Sequence, residues 1–270
     1  MGLSDKKMEK MKECIWCSRT EISKDTTFNN KAHTIPKALG GKQICENVCD
    51  SCNSFFGSPK KEFKGTSIEI ALKEVLNLSK YLLLQQIDQP PKNEKFKSQF
   101  FNLNFLTSSN KYSIETKPRY GITKGFQELF GTLFRRGLYK VFLEERERQE
   151  KDGHNAKFDF IRAFARYGLG DCPIYVLKPK FEILHFSVPD TLEPTIRFTE
   201  HSKKEEKEFG IYSYIIQGHT FCIPTSKFFE DFSIERYKKH LIDTNNTLGT
   251  ELIPIKYAED IDFTFRYMED

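Results

Sequence analysis

Four cysteines near the start of the chain have the spacing of a metal site. They form two Cys-x-x-Cys pairs, Cys14/Cys17 and Cys49/Cys52, separated by 31 residues. Two thiolates separated by two residues can bind one metal ion, and two such pairs provide the tetrahedral four-sulfur set that structural Zn²⁺ prefers. Because this region has few apolar residues, metal binding would supply much of its folding free energy. The spacing therefore predicts a structural zinc.

The other three cysteines are less suited to the same ion. Cys45 could replace one ligand, but its spacing to Cys49 is less favourable. Cys172 and Cys222 are distant in sequence, and we expect buried thiols at both positions.

One histidine lies between the two cysteine pairs, in turn-prone sequence. His33 precedes a Thr-Ile-Pro turn, Gly40-Gly41 and a predicted short strand over residues 43–48. A lone histidine is more often structural than catalytic. A zinc ion would change this, because it would bring the strand that carries His33 against a helix beginning near Cys49. Asn53 would then face the same space as His33.

The segments CIWC, AHTIPKALGG and NVCDSCNSFFG, over roughly residues 14–57, resemble the HNH (ββα-metal) nucleases, in the branch with a four-cysteine zinc beside the active site. The resemblance implies an endonuclease that hydrolyses phosphodiester bonds, most often in double-stranded DNA. It implies that His33 is the general base that activates water, and that Asn47 orients the histidine loop. Asn53 would ligate a catalytic Mg²⁺ or Mn²⁺, which stabilises the leaving 3′ oxygen. Neutral imidazole and a hard amide oxygen suit these roles.

The residue before His33 departs from the family's pattern. Many members carry Asp, Glu or His there as the main protein ligand of the ion, and Ala32 cannot ligate. Three explanations are open. The substrate phosphate and waters could complete the coordination, or another acid could replace the missing ligand, with Glu62 the better candidate and Asp50 the poorer one. In the third, the site binds nucleic acid but cuts it badly or not at all.

The excess positive charge lies in the cysteine-rich part of the chain. Residues 1–65 contain 12 Lys and Arg against 8 Asp and Glu, whereas the remainder contains 30 of each. This distribution favours a phosphate backbone as partner. Lys60, Lys61 and Lys64 are the candidate phosphate contacts, with a solvated lysine patch as the alternative. Three further basic residues are predicted on the solvent-exposed side of a long helix: Arg135, Arg136 and Lys140.

The periodicity of apolar residues predicts an α+β protein in three regions. These are an N-terminal zinc-braced ββα-metal (HNH) module at 1–65, a mainly helical region at 66–168 and a mostly antiparallel β-rich region at 169–270. The predicted helices span 66–87, 123–151, 157–167 and 227–241. An extended segment is predicted over 96–114, with a turn at 108–110, and strands over 174–177, 182–186, 195–198, 211–216 and 263–267. The charged run at 201–208 is predicted to be a solvated loop.

No run of about 20 apolar residues is present, so we expect a cytoplasmic protein without membrane contact. The run GITKGFQELFGTLFRRGLYKVFLEE is similar to a segment of bacterial HNH proteins, which suggests a bacterial source by analogy. Since one such module offers one active site, cleavage of both strands would suggest a homodimer. Two other classes of function stay open: a zinc-dependent nucleic-acid-binding module without catalysis, and a zinc-stabilised interaction protein.

Overall fold

A two-stranded hairpin and a short helix form the cysteine-rich region in a computed structural model of the chain. Strand β1 (Ala32–His33) pairs antiparallel with β2 (Ile44–Cys45), and helix α1 (Asp50–Gly57) follows directly after Cys49. This order of strand, strand and helix is the predicted ββα arrangement. The structure describes residues 11–85, 96–106, 111–117, 123–179, 192–229, 231–245 and 250–266.

Two long helices pack against each other beside this module. Helices α2 (Ile68–Gln85) and α3 (Lys124–Glu150) confirm the two longest predicted helices. A glycine permits their close approach, since a Cβ atom added to Gly137 would lie only 3.2 Å from the Cβ atom of Leu72. The glycine therefore serves helix packing although it lowers helix propensity.

Two smaller elements also agree with the sequence. Strands β3 (Phe101–Leu106) and β4 (Lys111–Thr116) form an antiparallel hairpin that overlaps the extended segment predicted over 96–114 and continues two residues beyond it. The predicted turn at 108–110 lies outside the described residues. Helix α4 (Asp159–Tyr167) ends at Gly168, whose φ of +70° is the left-handed conformation typical of a helix C-terminus.

A four-stranded antiparallel sheet dominates the C-terminal part of the chain. Its strands are β5 (Tyr175–Pro179), β6 (Ile211–Ile216), β7 (His219–Pro224) and β8 (Thr250–Pro254), in the spatial order β6-β7-β5-β8. The helices of this part are α5 (Glu200–Phe209) and α6 (Asp231–Asn245). The sheet confirms the predicted antiparallel C-terminal region, and β7 and β8 are strands that the sequence analysis missed.

The charged run at 201–208 is helical, so the prediction of a solvated loop was wrong. The hydroxyl of Thr199 accepts a hydrogen bond from Ser202 N at 3.2 Å and caps the N-terminus of α5. The helix buries Phe209 at its end, and Glu205 is also buried. The N-cap Thr199 and the buried Phe209 therefore favour a helix over residues 201–208, although the charge of this run predicts a solvated loop.

Two predicted strands near the sheet are also wrong. Residues 195–198 contain no regular strand, and Phe263–Arg266 is a 3₁₀ helix. The carboxylate of Asp262 accepts hydrogen bonds from the backbone N–H and the hydroxyl of Thr264, at 2.9 and 2.8 Å. Such a local acceptor favours a turn over a strand. The predicted strand at 182–186 lies outside the described residues.

The polar side of α3 is covered by the rest of the protein, which contradicts the predicted surface location of its basic residues. Arg135, Arg136 and Lys140 are 8%, 6% and 0% exposed. Buried charges require partners, and here Arg135 Nη1 lies 2.5 Å from Asp171 while Arg136 Nε donates to Ala165 O at 3.0 Å. These residues hold α3 to its neighbours.

One hydrophobic core cluster includes residues from all three predicted regions, among them Trp16, Phe130 and Ile223. The division at residues 65 and 168 stays a prediction. Within the part of the chain that the structure describes, no helix is long and apolar enough to cross a membrane.

Candidate functional site

The four predicted zinc cysteines come together in space. Their sulfur atoms all lie within 4.8 Å of one another, and the Sγ atoms of Cys17 and Cys49 are 3.7 Å apart. A tetrahedral zinc ion with Zn–S bonds of about 2.3 Å places its sulfurs about 3.8 Å apart. The geometry of the cluster therefore suits zinc.

Two local structures position these pairs. Ser18 N donates to Cys14 O at 2.8 Å and closes a tight turn, in which Ser18 has a φ of +55°. Cys49 is the N-cap residue of α1, and Cys52 lies in the first turn of the same helix. The backbone N–H of Cys49 lies 3.4 Å from Cys14 Sγ. The cysteine cluster thus fixes the start of the helix that carries Asn53.

The electrostatics of the cluster also favour a divalent cation. Hydrogen bonding to Cys52, burial and, third, the negative charge of the Cys52 thiolate raise the pKa of the Cys14 thiol. A divalent ion removes that penalty because it binds the deprotonated sulfurs directly. Arg166 Nε donates to Cys52 Sγ at 3.5 Å and adds positive charge beside the cluster.

The remaining cysteines do not take part. Cys45 is buried in the hairpin opposite Ala32, and the four-sulfur cluster does not include it. Cys172 and Cys222 are buried, as predicted.

The two residues of β1 face opposite sides of the hairpin, as successive residues of a strand do. Ala32 is 1% exposed and belongs to the core, whereas His33 is half-buried and lines a cavity. The Nδ1 atom of His33 lies 3.2 Å from Lys31 O. A proton on Nδ1 is donated to this carbonyl, which leaves the lone pair on Nε2 free to accept another proton.

The pKa of His33 is lowered from 6.5. Burial makes the largest contribution and the positive charge of Lys37 the next, against the opposing effects of the Lys31 carbonyl and Glu69. Neutral His33 therefore predominates at pH 7, and neutral imidazole is the form that a general base requires.

His33 and Asn53 line the same cavity, of about 540 Å³. Two carboxylates, from Asp50 and Glu69, also line it. The structure thus brings together three residues named from the sequence, His33, Asn53 and the poorer candidate Asp50, and adds Glu69, which the sequence analysis missed. The only signal for Glu69 was an acidic residue in the first turn of the helix that follows the motif.

Asp50 lines the cavity, but its carboxylate is already engaged. Its two oxygens accept hydrogen bonds from the hydroxyl of Thr27 at 2.6 Å and from the backbone N–H groups of Asn29 and Asn30 at 3.2 and 2.8 Å. Desolvation opposes these bonds, yet they lower the pKa of Asp50. Asp50 therefore holds the segment before β1 against the start of α1.

Asn47 and Glu62 are not among the residues that line this cavity. The side chain of Asn47 donates to Glu147 Oε1 at 2.6 Å, and its backbone oxygen accepts from Ile15 N at 2.9 Å. Glu62 lies in a 3₁₀ turn with its side chain 64% exposed, and its nearest charged partner is Lys60 at 3.9 Å. Neither of the two hydrogen bonds of Asn47 tests the role that the resemblance implies for this residue.

The three candidate phosphate-binding lysines follow α1 directly. Lys61 and Lys64 are exposed. Lys60 is half-buried, with its ammonium 3.5 Å from the ring centre of Phe55, and the guanidinium of Arg166 lies 3.8 Å from the same ring. This end of α1 therefore carries a concentration of positive charge against an aromatic surface.

A buried lysine outside the cysteine-rich region supports the backbone of the site. Lys140 of α3 is fully buried, and its Nζ atom donates to His33 O and to Thr34 O. The same atom lies 2.9 Å from Glu69 Oε1 and 3.0 Å from Glu144 Oε2. Burial alone would lower the pKa of Lys140, but these two carboxylates raise it. The i, i+4 spacing of Lys140 and Glu144 was the only sequence signal for this pair.

Acidic residues of α3 also accept hydrogen bonds from side chains of the N-terminal module. Glu144 accepts a hydrogen bond from the indole N–H of Trp16 at 3.1 Å, and Glu145 accepts one from the hydroxyl of Thr34 at 2.5 Å. With the bond from Asn47 to Glu147, three acidic residues of one helix hold three separate segments of the module.

A comparison with known protein families identifies the module. The family model described as HNH endonuclease matches residues 14–63. No match was found among curated proteins, and none among solved structures. The matched residues contain the cysteine cluster, His33 and Asn53. Residues 14–63 are therefore similar to HNH endonucleases and contain a four-cysteine cluster suited to a metal ion.

Proposed function

We propose that this protein is a metal-dependent endonuclease that hydrolyses phosphodiester bonds of DNA. The observation that carries the proposal is the shared cavity of His33 and Asn53, within residues that match the HNH endonuclease model. Since that family acts on nucleic acids, the partner of the cavity is a nucleic acid, and double-stranded DNA is the substrate we propose.

In the proposed mechanism, His33 is the general base. The Nδ1–H group of His33 donates a hydrogen bond to Lys31 O, so Nε2 is free to accept the proton of a water that attacks the phosphorus atom. The lowered pKa keeps His33 neutral before the reaction. Asn53 would hold a catalytic Mg²⁺ or Mn²⁺ through its amide oxygen. When bound, such an ion stabilises charge on the leaving 3′ oxygen.

Asn47 has a positioning role in this proposal. Its side-chain bond to Glu147 and its backbone bond to Ile15 link the segment after β2 to α3 and to the first cysteine pair. The opposite strand, β1, carries His33. We propose that Asn47 fixes the hairpin and makes no contact with the substrate.

The four cysteines would hold a structural Zn²⁺. All four positions of a tetrahedral ion would be filled by sulfur, which leaves no position for water or substrate. The ion would supply folding free energy to a region whose own core is small. The zinc ion would contribute to catalysis only indirectly, because it would fix the start of α1 and hence the position of Asn53.

The basic end of α1 is the proposed contact for the DNA backbone. Lys60, Lys61 and Lys64 follow the helix, and Arg166 adds its charge at the same aromatic ring. Charged contacts of this kind give affinity without sequence specificity. Cleavage of both strands would require two copies of the site, so we propose a homodimer for that activity, and a cytoplasmic location for the protein.

A second candidate is a zinc-dependent DNA-binding protein without catalysis. The observation that favours it is Ala32, which is buried in the core and provides no metal ligand beside His33. Duplex binding and cleavage measured on the same zinc-loaded samples separate the two candidates. In the nuclease, His33→Ala abolishes cleavage and leaves the duplex dissociation constant within a few-fold. In the binding protein, neither wild type nor variant cuts in Mg²⁺ or Mn²⁺, although both bind.

A further inference from the structure

Ala32 leaves the cavity without an acidic ligand at the position before His33. Its side chain is 1% exposed and faces the core of the hairpin, on the side opposite His33. Hard divalent ions bind preferentially to carboxylate oxygens. Any acidic ligand must therefore come from another element that reaches the cavity.

Glu69 reaches the cavity from the first turn of α2. It lines the cavity together with His33 and Asn53. Its Oε2 atom would lie 3.4 Å from a Cβ atom added to Gly57, the last residue of α1. Gly57 is four residues after Asn53, so both lie on the same face of α1. Glu69 thus approaches the helix face that carries Asn53.

The two oxygens of Glu69 have different surroundings. Oε1 lies 2.9 Å from Lys140 Nζ, the atom that also donates to the backbone oxygen of His33. Oε2 has no hydrogen-bond partner among the residues that the structure describes. The buried ammonium of Lys140 therefore orients both the Glu69 carboxylate and the strand that carries His33. It leaves Oε2 of Glu69 available to a ligand. Outer partners of this kind commonly orient metal-ligating carboxylates.

The other two carboxylates near the motif are less suitable. Both oxygens of Asp50 accept hydrogen bonds from Thr27 and the backbone of residues 29–30. Glu62 is outside the cavity lining, with its side chain 64% exposed. Glu69 has an available oxygen, a fixed position and 24% side-chain exposure.

We propose that Glu69 is the carboxylate ligand of the catalytic divalent ion and, with Asn53, replaces the ligand that Ala32 cannot provide. The inference rests on the proposed nuclease function, because it assigns a residue to the ion of that function. It also explains how a chain with alanine before the histidine can keep a metal-dependent site.

Binding of Mn²⁺ alone to the zinc-loaded full-length protein tests the assignment without any cleavage readout. Titration of wild type, Glu69→Gln and Glu62→Gln, followed by the electron paramagnetic resonance of free Mn²⁺, gives the three dissociation constants. Loss of a metal-site partner typically weakens binding by about 10- to 100-fold. We expect Glu69→Gln to weaken Mn²⁺ binding by about 10-fold or more, and the matched control Glu62→Gln to change it by less than about 2-fold.

Glutamine keeps an oxygen for Lys140, and zinc content and thermal midpoint verify that each variant is folded. A second measurement uses the wild type alone: carbodiimide labelling of carboxylates with and without Mn²⁺, mapped by mass spectrometry. We expect Mn²⁺ to protect Glu69 and to leave the labelling of Glu62 unchanged. Should Glu69→Gln misfold, this protection decides the assignment.

The outcomes also separate the two proposals. If Glu69→Gln binds Mn²⁺ as tightly as wild type, or Mn²⁺ leaves Glu69 unprotected, Glu69 is not the ligand, and the nuclease proposal stands as long as wild type cuts DNA. If wild type binds Mn²⁺ through Glu69 but cuts no DNA, the metal assignment stands and the nuclease proposal fails. Absence of Mn²⁺ binding by wild type overturns the assignment.

Discussion

Lys140 Nζ donates a hydrogen bond to the backbone oxygen of His33, which lies 107 positions earlier in the chain. The same ammonium is 2.9 Å from Glu69 and 3.0 Å from Glu144. The strand of the proposed general base is therefore held by a helix outside residues 14–63, the part that matches the HNH endonuclease model. Lys140 of α3 therefore links the backbone beside His33 to Glu69 of α2.

Lys140→Met tests the importance of this contact for stability. The variant leaves the carboxylate of Glu144, which is fully buried, without its charged partner. Breaking a buried ion pair from one side costs about 3–5 kcal/mol. We expect a loss of that size in the free energy of unfolding, measured by urea denaturation. The exposed control Lys61→Met should change it by less than about 0.5 kcal/mol, and equal values for the two variants would contradict the account.

A fragment that ends at residue 65 tests whether the module folds alone. It lacks Glu144 and Arg162, which bond to the indole N–H of Trp16 at 3.1 Å and to the backbone oxygen of Ile15 at 2.6 Å. We expect the zinc-loaded fragment to show a poorly dispersed amide NMR spectrum, unlike residues 14–63 of the full chain. A dispersed spectrum that overlays on the full-length spectrum would show that α3 is dispensable.

Replacing one cysteine at a time tests the zinc cluster. Cys49→Ser removes one of four sulfurs, and we expect the zinc content, measured by atomic absorption, to fall from one ion per chain to a small fraction. Cys45→Ala is the matched control, because Cys45 is buried nearby but lies outside the cluster. The control should keep its zinc. Zinc loss from Cys45→Ala with retention in Cys49→Ser would mean that the ligand set is different.

The pH dependence of cleavage tests the role of His33. A general base must be neutral, so the rate is present above its pKa and falls as the pH decreases through that value. Because burial and Lys37 lower this pKa, we expect the acid limb to have its midpoint below pH 6.5 when Mn²⁺ is saturating. A midpoint above pH 6.5, or a residual His33→Ala activity with the same acid limb, would assign the base to another group.

Salt dependence tests the lysines after α1. Each phosphate contact contributes about 0.9 to the slope of log Kobs against log salt concentration on duplex DNA. With Ca²⁺ in place of Mg²⁺, we expect Lys61→Gln and Lys64→Gln each to reduce the slope by about that amount. Lys239→Gln, an exposed lysine on α6, is the control and should leave it unchanged. Unaltered slopes for both test variants would place the DNA elsewhere.

Residue spacing predicts the structure best where spacing alone determines the geometry. Two Cys-x-x-Cys pairs can meet in few ways, and the structure places their sulfurs within 4.8 Å. The apolar periodicity of α2 and α3 is similarly informative, because apolar residues at three- and four-residue steps over a long segment indicate a helix. The predicted loop at 201–208 and the predicted strand at 263–267 were wrong because local hydrogen bonds to Thr199 and Asp262 outweigh charge and alternation.

The candidate site could be predicted only in part. His33 and Asn53 belong to one contiguous motif, so their meeting in one cavity follows from that motif. Glu69 and Lys140 belong to separate helices, and their approach depends on how α2 and α3 pack. Tertiary packing of this kind has no local signature. It also explains why Lys140 was wrongly expected at the surface.

The most direct test of the central claim is plasmid cleavage by zinc-loaded wild type and His33→Ala in Mg²⁺ and in Mn²⁺. Zinc content and thermal midpoint confirm that both proteins are folded. If His33 is the general base, we expect nicked or linear DNA with wild type, no cleavage in EDTA and a loss of activity of at least about 100-fold in His33→Ala. Cleavage by the variant at the wild-type rate, or duplex binding without cleavage by wild type in both metals, would contradict it.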